Sequence, residues 1–182
     1  MPQIRVGIAC CFFVLVLGAC RGVPERVQLN EMENNTGLLY GQIVMPNKDM
    51  VMVHIVIHQV GKTFGNMAED AQFLGDGRFV VENLKPGKYD LYGFYMGSGG
   101  TRYQAFTGDE AVKYQVELKA GAVTYFGSYK YVSKRASIVF SPNEFRLENV
   151  SSHQAQLTLL KWLEEASRGT RWHAKIQKEL GK

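Results

Sequence analysis

Gly75-Asp76-Gly77-Arg78-Phe79-Val80-Val81-Glu82-Asn83-Leu84-Lys85-Pro86-Gly87-Lys88-Tyr89-Asp90-Leu91 places a β-rich run on each side of a Lys-Pro-Gly turn. Proline presets its own φ and glycine accepts conformations closed to other residues, so Pro86-Gly87 is a turn with a mechanism. Phe79 before the turn, and Tyr89 and Leu91 after it, are the expected core contacts. Outward from this segment the same grammar repeats. Runs rich in β-branched and aromatic residues lie at 38–44, 50–60, 78–84, 88–96, 102–106, 112–118, 123–132 and 137–140. Between them stand Pro46-Asn47-Lys48-Asp49, Gly75-Asp76-Gly77 and Gly97-Ser98-Gly99-Gly100. Short strands at this spacing mean an all-β sandwich or barrel.

Alternation along each run assigns faces, because successive strand side chains point to opposite sides. In the second run Val51, Val53, Ile55 and Ile57 form the expected core face, with Met52, His54, Val56 and His58 on the other. The run at 88–96 is largely apolar on both faces, as a covered central strand would be. The pattern changes after residue 150. Ser151 with Gln154 reads as a capping box, and Ala155, Leu159, Leu160, Leu163 and Ala166 make a stripe at helical spacing that Gly169 ends. A second segment then sets Trp172, Ile176 and Leu180 four apart on one face. Both segments are expected to dock on the sheets.

The 75–91 segment resembles the signature of carboxypeptidase-regulatory-like, or transthyretin-like (prealbumin-like), domains: a phenylalanine followed by Asn-Leu-x-Pro-Gly-x-Tyr-x-Leu, here Phe79, Asn83-Leu84, Pro86-Gly87, Tyr89 and Leu91. The resemblance covers about residues 37–140. It implies a mainly β, antiparallel sandwich of seven to eight strands, on which the C-terminal helical hairpin packs. Leu118-Lys119-Ala120-Gly121-Ala122-Val123-Thr124-Tyr125-Phe126-Gly127 is similar to a strand of small periplasmic lipoproteins that also end in a helix.

The N-terminus reads as an address. Residues 6–17 form an apolar run behind a single Arg5, the length of a signal-peptide core and too short to span a bilayer. Leu17-Gly18-Ala19-Cys20 resembles the bacterial lipobox, which implies cleavage before Cys20 and acylation of that cysteine. The expected organisation is a signal peptide at 1–19, a lipidated tether at 20–36, the β-sandwich at 37–150 and the helical segment at 151–182. In lipoproteins of the enteric type an aspartate after the cysteine retains the protein at the inner membrane. Arg21 stands there, so the resemblance implies the periplasmic side of the outer membrane or the cell surface. All three cysteines (Cys10, Cys11, Cys20) lie in the first 20 of 182 residues, which leaves the domain to depend on its core without disulfides.

Charge and motif searches narrow the chemistry. Twenty-one Lys and Arg against 17 Asp and Glu give +4, a near balance that does not point to nucleic acid. His54 and His58 are four apart, but on a strand that spacing separates them by roughly 13 Å, too far for one zinc ion. No metal and no cofactor is expected. The chain has no Gly-x-Ser-x-Gly elbow. It also ends Glu179-Leu180-Gly181-Lys182, without the Tyr-Arg-Gly-Ser ending of transthyretin-like hydroxyisourate hydrolases. The candidate binding face is Tyr125, Tyr129 and Tyr131, which strict alternation puts on one side of a strand where they would stack on a sugar or a protein. The expected function is a non-catalytic, lipid-anchored binding or structural module that contacts a protein or cell-wall partner. The alternative is a small-ligand carrier or hydrolase using the sandwich interior, with His54 or His58 as base.

Overall fold

The computed structural model describes residues 26–46, 51–61, 71–97, 101–106, 112–133 and 145–182. Cys20, the run at 137–140 and the turn residues 47–49 and 98–100 lie outside them. The described chain is mainly β. Its nine strands are β1 (Gly37–Val44), β2 (Val51–Gln59), β3 (Gln72–Phe73), β4 (Arg78–Leu84), β5 (Gly87–Gly97), β6 (Thr101–Ala105), β7 (Gln115–Leu118), β8 (Val123–Ser133) and β9 (Phe145–Asn149). Two helices follow, α1 (His153–Ala166) and α2 (Arg171–Glu179).

The strands form two sheets, one ordered β3-β4-β1-β8-β9 and one ordered β2-β5-β6, with β7 sharing the β6 side of β5. Their facing sides meet in one core. Leu39, Ile43, Phe79, Val81, Phe126 and Tyr131 come from the first sheet, and Met52, Ile55, Ile57, Leu91 and Phe94 from the second. Phe79, Tyr89 and Leu91 are all buried there, as the 75–91 segment implies. The Lys-Pro-Gly turn does not close a hairpin, however, because β4 and β5 belong to different sheets. It carries the chain from one layer to the other, and the Tyr89 hydroxyl fastens the corner by donating to the Lys85 carbonyl at 2.7 Å.

The expectation of an antiparallel arrangement fails at one pair, since β1 runs parallel to β8. Local turn signals report which neighbours in sequence can pair; they carry no information about a partner some eighty residues away. The face assigned to β2 also shifts. Met52 pairs with Met96 and His54 with Tyr95, so β2 holds an extra residue there, and Met52 enters the core beside Ile55 and Ile57. Strands β3 and β9 were not expected from the sequence.

The first sheet is covered on its second side by the helices. Leu38, Tyr40 and Val80 pack against Leu159, Leu160, Leu163, Trp172 and Ile176, which makes the docked hairpin part of the folded unit. The α1 cap lies one residue later than the capping box predicts. Ser152 accepts from the Ala155 amide at 3.1 Å, while the Ser151 hydroxyl receives the Ser128 amide from β8. Gly169, at φ 84°, turns the chain into α2.

Residues 26–36 are not a free tether. Val27 and Leu29 are buried in the helix-side cluster, and the Leu29 amide donates to the Ala166 carbonyl at 2.9 Å. Asn30 bonds Glu82 through both its amides, and Glu31 pairs with Arg171 at 2.6 Å. The segment's polar residues hold it to its neighbours while Val27 and Leu29, with half-buried Met32 against them, fill the cluster.

Candidate functional site

The tyrosine face is not presented to solvent. Tyr40 pairs with Tyr125 and Gly41 with Gly127, so Phe126 is an extra residue in β8. This bulge breaks the alternation. Tyr125 falls on the helix side, its ring tilted against that of Tyr40 at 5.4 Å, whereas Tyr129 and Tyr131 fall between the sheets, where both are buried. Burial raises the Tyr129 phenol above its ordinary range. The three residues therefore serve two different cores, and the reading of them as a single binding face is corrected.

His54 and His58 are both half-buried on β2. His54 contacts the rings of Tyr95 at 5.8 Å and Phe73 at 6.4 Å. His58 sits directly across from Asp90 in the β2–β5 register, with Nδ1 3.2 Å from Oδ1. Asp90 is buried, and desolvation raises its carboxyl pKa against the opposing pull of His58. A carboxylate orienting an imidazole is an arrangement suited to proton transfer. Here it is also a cross-strand pair of the kind that stabilises sheets. Among the described residues no group of three or more His, Cys, Asp or Glu is placed to hold a metal ion.

A concave site lies elsewhere, where the N-terminal segment, the first sheet and α1 converge. Its volume is about 470 Å³. Val27, Leu74 and Ala166 form an apolar floor, and Arg26, Arg78, Trp162 and Glu165 form the walls. The Arg78 guanidinium lies 5.3 Å from the centre of the half-buried Trp162 ring, within cation–π range, and also pairs with Asp76 at 2.7 Å. Glu165 is paired with Arg168 at 2.6 Å. Arg26 is exposed and has no ion pair among the described residues.

The sequence reading did not single out this groove. Trp162 stands three residues after Leu159 and four before Ala166, which puts it at the edge of the α1 stripe. That signal was available. Arg78 carried none, because only the docking of α1 brings an indole to it. No protein-family model, curated protein or solved structure matches the chain.

Proposed function

We propose that the chain is a lipid-anchored, non-catalytic module of the bacterial envelope, held at the outer membrane through Cys20 and binding a protein or cell-wall partner through its outer surfaces. In this reading the two sheets form a transthyretin-like sandwich with the helical hairpin as its cover. The observation that carries the anchor is Leu17-Gly18-Ala19-Cys20 behind a short apolar run.

The choice of a binding module over an interior-ligand carrier is supported by how the space between the sheets is filled. Phe94 meets Tyr131 at 6.0 Å and Phe145 at 5.8 Å, edge to face, and Phe79 meets Phe126 at 6.0 Å. Interlocked rings of this kind fill the space between the sheets with packing. Recognition then falls to the surface.

Two measurements test the proposal. A clickable fatty acid fed to cells should label the wild-type protein and leave Cys20→Ala unlabelled; equal labelling of both removes the anchor. Proximity cross-linking in intact cells should then trap a discrete protein or glycan. Turnover of a small ester or amide that is abolished by His58→Ala would instead establish the hydrolase.

A further inference from the structure

We infer that the groove around Trp162 is the face the domain lays on its own membrane, with Arg26 and the tryptophan edge seated among anionic lipid headgroups. This rests on the anchored reading above. Covalent geometry makes the first argument. Cys20 and Arg26 are six residues apart, and six residues reach about 20 Å even when fully extended. Since Arg26 itself lines the groove, acylation of Cys20 confines the groove to the neighbourhood of the bilayer surface.

The lining supplies the second argument. An indole has an apolar body and a polar N–H, and arginine keeps its charge wet while its stem covers apolar surface; both are suited to the boundary between headgroups and water. Trp162 is half-buried in the domain, with Arg78 over its ring. Charge supplies the third. Asp76 engages Arg78 and Arg168 engages Glu165, so among the described residues Arg26 is the groove cation without an ion pair. An exposed arginine beside an aromatic ring at the end of a short lipid tether fits a surface of anionic lipids.

The test uses the full-length lipidated protein reconstituted in phosphatidylethanolamine–phosphatidylglycerol vesicles, with and without lipids carrying a nitroxide on the headgroup. The chain has two tryptophans, and Trp172 is fully buried, which makes it an internal reference. The nitroxide should quench Trp162 emission at least twofold, and Trp162→Phe should leave only unquenched emission. Arg26→Glu, or replacement of the lipid by phosphatidylcholine, should at least halve the quenching. Protein that fails to float with the vesicles defeats the anchored reading. Protein that floats with Trp162 unquenched overturns only the inference drawn here, as does quenching indifferent to both Arg26→Glu and lipid charge. Inorganic phosphate that shifts Trp162 emission as the vesicles do would also overturn it, because it would mark a pocket for free phosphate.

Discussion

Replacing Trp172 tests whether the C-terminal hairpin is part of the domain, and it yields a number. The side chain is fully buried between α1 and the first sheet, with Leu38, Tyr40, Val80, Leu159 and Leu163 in the same cluster. Removing a tryptophan from such a site costs about 3–5 kcal/mol, transfer and cavity together. One feature reduces that figure. The indole Nε1–H is buried with no acceptor among the described residues, and a donor so placed already costs the folded state about 1 kcal/mol. Trp172→Ala should therefore lose about 2–4 kcal/mol. At about 2–4 °C per kcal/mol for a domain of this size, the melting temperature should fall by roughly 4–16 °C. Trp172→Phe keeps most of the ring and deletes the orphaned donor, so its loss should be less than half as large. Thermal melts followed by circular dichroism decide it, with iodide quenching in a Trp162→Phe background to report the exposure of Trp172. An alanine variant that melts within about 2 °C of wild type, or free access of iodide to Trp172, would show that α2 is not part of the folded unit. A phenylalanine variant as damaged as the alanine one would refute the account of the orphaned donor.

Gly77→Ala should also be strongly destabilising. Gly77 has φ 85°, and an added Cβ would lie 1.8 Å from the Ile43 carbonyl oxygen. Backbone strain alone costs about 1–3 kcal/mol, and the clash is with main chain that cannot swing aside; an unchanged melt would disprove the β1–turn contact. Asp90→Asn addresses linkage. Because burial raises the folded-state pKa of Asp90 above its ordinary value, the folded protein takes up this proton more readily than the unfolded chain. Its stabilising contribution is present at low pH and is lost as pH rises through the raised pKa. The melting temperature of Asp90→Asn relative to wild type should thus be higher at pH 7 than at pH 4, and the opposite trend would mean that the His58 contact outweighs desolvation.

How much of this was legible depends on how local each feature is. The strands on either side of Pro86-Gly87 and the stripe Leu159, Leu160, Leu163 could be read because their signals lie within one element. The tyrosine face could not. A single extra residue at Phe126 reverses the side on which everything after it falls, and nothing in the composition of the strand marks the slip. β3 has two residues and no period to detect. Val27 and Leu29 do alternate, but two positions inside a polar stretch are too few to separate a packed segment from a tether. The groove at Trp162 was hidden for a different reason, since its walls come from three parts of the chain that only tertiary docking brings together.

The parallel pairing of β1 with β8 sets an order of events for a chain that emerges N-terminus first. β1 lies between β4 and β8, and its second edge stays open until the residues from Val123 to Ser133 have arrived. The helices that cover its other face come later still. Contacts of such long sequence separation make folding slow and leave strand edges exposed meanwhile. A chain cut off before residue 123 would leave the second edge of β1 unpaired and the helix side of β1 and β4, with Leu38, Tyr40 and Val80, uncovered. The first third of the sequence therefore gains its second strand partner and its helical cover only from the last third.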